Sequence, residues 1–401
     1  MKNLKPIFVT ILLFVFHYVN AQEIAQWRGI NRDGVYNEQN LLKSWPENGP
    51  EIRWVNEDIG DGFGSPTVTD DMIYVNGKVD SLSYTFAIDL NGKIVWKTPN
   101  GNEFTGREYS ANFPGSRSAP TVLKDFIYVS SANGRIACLE KQTGKEIWSV
   151  DMIHDFNGVK DQHGYCESLV VDDKNVYCLP GGITTNVAAL DRFTGKTVWT
   201  AKAFSDSATY CSPMIINLPS RNILVNFSGH YLLGFDCKTG ELLWSQRQAY
   251  HFYHQHCNTP IFDNGSIYYI SGEGNGAVKL ELSANGNSIK DVWRNNDIKN
   301  VFLGFVKIGD HIFSPDNSQK LKCIDTNTGQ VTDSIRLNKG GIIYADNMLY
   351  CYSDNGNVNL IRLNGTNMEI VSKFKCDKGT KEHFAHPVIK NGVLYLRHAG
   401  H

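Results

Sequence analysis

Six tryptophans recur at nearly constant distance along the chain. Trp54, Trp96, Trp148, Trp199, Trp244 and Trp293 follow one another at intervals of 42, 52, 51, 45 and 49 residues. Each closes a copy of one pattern. A small residue and a proline open it, and an apolar strand, a turn and a strand ending in Tyr or Phe follow. A Gly-rich loop then leads to a strand ending in Asp or Glu, a Thr-Gly-Lys turn and a last strand closed by Trp. The clearest copy contains Pro120-Thr121-Val122, Ile127-Tyr128-Val129, Ile136-Ala137-Cys138-Leu139-Glu140, Thr143-Gly144-Lys145 and Trp148. Other copies turn at Asn91-Gly92-Lys93, Thr194-Gly195-Lys196 and Thr239-Gly240-Glu241. A further copy keeps Thr328-Gly329 without Trp, and another reaches Phe374. Four short strands fit each interval, which is the signature of propeller blades.

The pattern predicts an all-β chain, an eight-bladed β-propeller of four-stranded repeats. Eight strands with Ile-Tyr-like endings count the blades, at Tyr74, Tyr128, Tyr177, the Val225 region, Tyr268, Phe313, Tyr350 and Tyr395. No stretch shows sustained helical periodicity. A solenoid would also repeat, but without four-strand meanders closed by Trp. Only seven copies have complete outer strands, so the last blade is expected to be closed by the N-terminus. Glu51-Ile52-Arg53-Trp54 matches Lys93-Ile94-Val95-Trp96 and would supply its outermost strand. For the third strand, either residues around Val35 fill the place or the blade is incomplete. The expectation is a chain shortened at its C-terminus, with a weakened closure that exposes unpaired backbone.

The 401 residues carry 41% hydrophobic and 20% charged side chains and a net charge of -2. That suits a globular protein with a large core and gives no field or basic stripe for nucleic acid. Lys2 and Lys5, an apolar run over residues 7–16 and the small residues at Val19-Asn20-Ala21 read as a signal peptide over residues 1–21. Residues 22–401 are then one propeller domain, periplasmic or secreted. The apolar run is too short for a membrane anchor, and no later segment is long enough to span. Nine cysteines give an odd count, so at least one has no partner within a monomer.

Trp27-Arg28-Gly29-Ile30-Asn31-Arg32-Asp33-Gly34, followed by Trp45-Pro46 and Gly49-Pro50, resembles the N-terminal signature of bacterial PQQ-like (pyrroloquinoline-quinone-like) repeat proteins. The Thr-Gly-Lys…Trp turns resemble the same family over nearly the whole mature chain. That superfamily includes quinoprotein alcohol dehydrogenases and BamB-like assembly lipoproteins. The resemblance implies the propeller fold strongly and an activity weakly. Quinoproteins of this fold carry two adjacent cysteines against the cofactor, and this sequence has none. It also lacks the lipid-modified cysteine of BamB-like proteins. No cofactor is therefore expected, and both PQQ and calcium are disfavoured.

Aligning the copies places one residue per blade around the channel mouth: Phe63, Arg117, Cys166, Tyr210, Cys257, Phe302, Lys339 and Phe384. The next layer reads Gly64, Ser118, Glu167, Cys211, Asn258, Leu303, Gly340 and Ala385. The loops leading to these positions carry Arg107, Glu108, Tyr109, His154, His163, Tyr165, His251, His254, His256, Lys381, Glu382, His383 and His386. The binding candidates are Arg117, His163, Tyr165, Cys166, Glu167, Tyr210, His254, His256, Cys257, Asn258 and His383. No metal site is assigned, because a short His-x-His-Cys cluster (His254, His256 and Cys257, with His163) lacks a fixed partner spacing. Solvated or hydrogen-bonded loop histidines explain it as well. Arg117, His163, Tyr165 and His256 could instead serve a polysaccharide-lyase-like proton abstraction, with Arg neutralising a uronate carboxylate. Glu167 and Asn258 could suit calcium, but two oxygen ligands are too few.

Three readings compete: a module binding a small molecule, glycan or protein at its loop face, a carbohydrate-active enzyme, and a PQQ-dependent oxidoreductase. The binding module comes first because it requires no catalytic constellation, and the catalytic residues are unassigned.

Overall fold

A computed structural model describes residues 24–249, 255–272 and 274–401. The expected signal peptide and His251 and His254 lie outside the described residues. Eight sheets follow in chain order, over residues 67–102, 121–151, 170–201, 214–247, 261–295, 306–336, 340–375 and 388–395. In the first seven, four consecutive strands pair antiparallel as a meander; the last is a two-stranded hairpin. The protein is an eight-bladed β-propeller. Third strands such as Arg135–Glu140 and Val187–Asp191 read as apolar runs because neighbouring blades cover both of their faces. Leu123, Tyr128 and Ile136 of the second blade thus share one core with Val176, Cys178 and Ala188 of the third. The Tyr-ending strands that count the blades are the second strand of each sheet. Shorter segments, such as Thr121–Leu123, are innermost.

The tryptophans hold equivalent places in the ladder. Trp96 faces Ala87, Trp148 faces Cys138, Trp199 faces Ala189 and Trp244 faces Gly234, each beside a register shift. A bulge recurs there in every four-stranded blade and turns the outer strand so that the indole covers the next blade. The indoles of Trp54, Trp96, Trp148, Trp199 and Trp293 lie against Gly92, Gly144, Gly195, Gly240 and Gly329 of that blade's turn. The ring N–H of Trp148, Trp199 and Trp293 donates to a carbonyl there, at 2.9–3.0 Å. Trp244 lies instead against Gly234 of its own blade. In the sixth and seventh blades Asp333 and Ser372 take the Trp position, so Phe374 is not the equivalent residue. Trp45 packs on Phe374 with ring centroids 4.9 Å apart, supplying the missing indole from the N-terminal segment.

These turns need glycine. Gly240 has φ +76°, and a Cβ there would sit 2.6 Å from Trp199. Gly240→Ala should lower stability by about 2 kcal/mol in a urea titration, from the left-handed backbone and the displaced indole together. A loss under about 0.5 kcal/mol would contradict this packing.

The N-terminal segment crosses the propeller axis. Ile24–Ala25 pairs antiparallel with the innermost strand of the second blade, and Val35–Tyr36 pairs parallel with that of the seventh. Residues around Val35 therefore do not fill the eighth blade, which among the described residues consists of Val388–Lys390 and Val393–Tyr395. Residues 396–401 fold into a turn, with His398 and His401 exchanging backbone hydrogen bonds at 3.0 Å. The N-terminal segment closes the ring by side-chain packing. Trp54 lies 6.3 Å from Tyr395 and donates to Leu90 O at 2.9 Å, but residues 51–57 join no ladder among the described residues.

Candidate functional site

The mouth of the channel is built by the loop that leaves the first blade. Glu103 anchors its start, accepting the backbone N–H of Phe104 and of Ala132 at 2.7 and 3.1 Å. A single 3-10 turn, Glu108–Asn112, then brings Phe113 over the axis. Arg117 holds this loop from beneath, donating to Gly115 O at 2.9 Å and to Phe113 O. Its guanidinium lies 4.7 Å from the Phe104 ring centre and 5.9 Å from that of Phe63. Phe113 meets Phe63 at 6.1 Å and Phe384 at 6.0 Å, and Phe384 meets Phe63 at 5.7 Å and Phe302 at 5.1 Å. His163 continues the cluster, 6.4 Å from Phe113 and 5.8 Å from Tyr210. Tyr109 stands at the rim, 5.4 Å from Phe113 and 70% exposed.

The sequence candidates therefore separate. Arg117, His163 and Tyr210 join this mouth. Cys166 and Cys257 lie beside them, near enough to add to the effect of burial on the Tyr210 hydroxyl, whose pKa is raised. Burial pushes the Cys166 thiol up to about 12 and the Cys257 thiol well above its ordinary value. Both are protonated at neutral pH and are poor nucleophiles or metal ligands in that form. Burial and the charge of Arg117 lower the His163 pKa, favouring a neutral ring.

Other candidates belong elsewhere. Tyr165 is core, with its hydroxyl donating to Pro180 O at 2.8 Å. His256 is buried, stacked on Phe227 at 4.7 Å, with Nε2 3.2 Å from Gly229 O. Asn258 ties the fifth blade to the sixth: its amide donates to Ile270 O and Asn300 O, and its Oδ1 accepts from Gly304 N–H. His383 stacks on His398 at 3.5 Å and bonds the Tyr352 hydroxyl. Two of the four groups required for proton abstraction, Tyr165 and His256, are thus structural. Among the described residues no three His, Cys, Asp or Glu side chains converge as a metal site.

Glu167 lies below the mouth and is fully buried. Its Oε1 accepts from Leu179 N–H at 3.2 Å, while Oε2 has no hydrogen-bond partner among the described residues. Burial raises its pKa to about 8, against the lowering effects of that amide and of Arg32. Arg32 comes from the axial segment. It donates to Leu169 O at 3.0 Å, to Ser168 O and to Gln26 Oε1 at 2.8 Å. Arg28 reaches to other blades, donating to Ile342 O at 2.9 Å and Phe305 O at 2.6 Å. Trp27 packs edge-on against His386 at 5.5 Å. The Trp-Arg-Gly…Arg-Asp-Gly motif is thus a plug whose two guanidiniums bond inner carbonyls of different blades. Sequence reasoning took the motif as a family signature and missed this role. Two arginines four residues apart, each within two residues of a glycine, were the available signal.

Blade architecture and the plugged axis place the protein among the PQQ-like repeat propellers. The sequence profile described as outer membrane protein assembly factor BamB matches residues 83–335, and the chain belongs to that family. BamB of Kangiella koreensis is 24% identical over 174 residues, 42% of this chain and 38% of that protein. BamB of Shewanella oneidensis is 22% identical over 311 residues, 74% of this chain and 70% of that one. The quinohemoprotein alcohol dehydrogenase ADH-IIG of Pseudomonas putida is 29% identical over 140 residues, 34% of this chain and 18% of that enzyme. This chain thus spans well under half of the first and last of these relatives. Among solved structures, BamB of Moraxella catarrhalis superposes with TM-score 0.60 at 13% identity, covering 84% of this chain and 93% of that one. Quinohemoprotein alcohol dehydrogenase of Comamonas testosteroni gives 0.61 at 14%, covering 82% and 69%. Both structural likenesses speak for the fold alone.

Proposed function

We propose that this chain is an exported binding propeller that holds a protein partner against the aromatic mouth of its loop face, without bound quinone or calcium. The observation that carries the reading is Tyr109, 70% exposed above the packed rings of Phe113, Phe63 and Phe384. A rigid aromatic patch edged by Arg117 and Lys339 has the composition of an interface hot spot. Aromatic side chains fill the mouth, which favours a broad protein contact over an enclosed small molecule or glycan. Relatives named as assembly factors support a protein partner. A net charge of -2 without a basic stripe speaks against nucleic acid. Among the described residues no helix is long and apolar enough to cross a membrane.

The residues present do not suit the quinone. No two cysteines are adjacent in the sequence, and the Asn258 amide is committed at both ends. Photo-crosslinkers at Tyr109 and Phe302 should capture one discrete protein in the source cells, whereas one at the outer-strand position Val198 should capture none. Equal capture at all three sites would defeat the reading. So would cleavage of acidic oligosaccharides to unsaturated uronates that is lost in Arg117→Ala. Stoichiometric uptake of PQQ with calcium, followed by absorbance, would restore the oxidoreductase.

A further inference from the structure

The axial segment encloses a cleft at the end of the channel opposite the mouth. Ile24–Ala25 covers the innermost strand of the second blade, and Val35–Tyr36 covers that of the seventh. The eighth and first blades stand between them. Their innermost strands, Val388–Lys390 and Thr67–Val68, meet no axial strand among the described residues. The cleft between the two axial strands has a volume of about 240 Å³. Its inner end is apolar, formed by side chains such as Val68, Val122 and Val388, and Ile30, 57% exposed, lies beside it. Asp70, Lys124 and Lys390 form its rim, at the turns that join first to second strands.

Two features mark a built site. The first is main-chain. In the seventh blade Tyr344 lies one pair from the turn, and its N–H points inward to Gly34 O of the axial segment at 2.8 Å. Val68 and Ile389 hold the same place in their blades. Each belongs to a pair without mutual hydrogen bonds, so its N–H and C=O point towards the axis. Both residues are buried, and among the described residues these main-chain groups bond nothing. Buried groups of that kind need a partner. The second feature is Lys124, which opens the turn of the second blade with φ 55°. Asn264, Asp346 and Asn391 take that left-handed place in the fifth, seventh and eighth blades, with φ 46°, 47° and 52°. Asn and Asp are suited to it, whereas lysine adopts it at a cost. Lys141 and Lys390 pair with Asp71 and Asp70 at 3.0 and 2.7 Å, but Lys124 forms no ion pair among the described residues.

We propose that this cleft binds a small N-acylated amino acid. The acyl chain lies against the apolar inner end. The amide supplies both a donor and an acceptor to the inward edges of Val68 and Ile389, which a simple fatty acid cannot do. The carboxylate meets Lys124 at the rim. The volume is below the about 300–1,000 Å³ of drug-sized sites, which keeps the ligand small. This site is independent of the mouth.

The test is calorimetric titration of N-hexanoylglycine into the full chain. One saturable site tighter than about 1 mM is expected, with a melting temperature that rises with ligand concentration. Lys124→Asn suits the left-handed turn and should keep the fold, yet weaken binding about fivefold, ~1 kcal/mol, the upper end for an exposed ion pair. The methyl ester should bind about fivefold more weakly than the acid to the unaltered chain, and as well as the acid to the Lys124→Asn protein. Nonanoate, similar in length but without the amide, should also bind at least about fivefold more weakly. Absence of saturable binding at millimolar concentration overturns the proposal. So does an acid affinity that Lys124→Asn leaves unchanged, or nonanoate binding as tightly as the acylated glycine.

Discussion

Arg32→Ala should cost roughly 3–5 kcal/mol of folding stability, the range for removing one member of a buried charged network. The guanidinium is fully buried, and burial lowers its pKa to about 10. It remains charged at neutral pH because Leu169 O, Ser168 O and Gln26 Oε1 receive its protons. Truncation strips those inner carbonyls of a donor and leaves the Glu167 carboxyl without its nearest positive charge. Arg32→Lys should recover little, because one ammonium cannot reproduce a planar fork across two carbonyls. Urea unfolding of the three proteins at neutral pH decides the matter. A loss below about 1 kcal/mol for Arg32→Ala would show that the plug is ornamental to stability.

Glu167→Gln should act in the opposite direction and depend on pH. The folded carboxyl titrates at about 8, above its ordinary value of 4.5. Between those values the folded protein holds a proton that the unfolded chain has released. Stability therefore falls as pH rises through this window, and the loss is complete above pH ~8. The penalty at high pH amounts to roughly 3–5 kcal/mol, taking about 1.4 kcal/mol per unit. Glutamine carries no charge and keeps an oxygen for Leu179 N–H, so its stability profile should be flatter. The variant should match wild type near pH 4 and exceed it at pH 9. Parallel profiles for the two proteins would place the titration elsewhere.

The blades were legible because five of the six closing Trp residues lie against a glycine turn in the next blade, and both residues survive in the sequence as a spaced pair. Where the pairing changes chemistry, the reading slipped. Phe374 looks like a closing aromatic, yet Ser372 holds the register position and Trp45 fills the space from far away in sequence. The mouth was legible where blade alignment alone sets position, as for Arg117, Tyr210 and the phenylalanines. It was not legible for Tyr165, His256 and His383, whose inward or sideways direction depends on local packing. Phe113 escaped notice because it enters the mouth from a long loop rather than from a blade position. The arginine plug was hidden for a related reason, since its partners are backbone carbonyls, which no side-chain pattern records.

That plug also sets an order on how the chain can reach its final form. Arg28 bonds Ile342 across 314 residues of sequence, and Arg32 bonds Leu169 across 137. Ile24–Ala25 and Arg32 can be secured by the second and third blades, but Arg28 and Val35–Tyr36 only after the seventh blade exists. Contacts this distant along the chain make for slow folding, because their loops must close before the bonds return any stability. Arg32 meets its carbonyls once residues 168–169 are in place, whereas Arg28 has to wait for Phe305 and Ile342. The span across the axis is thus completed late, when residues near the start of the chain meet some of the last blades to be made.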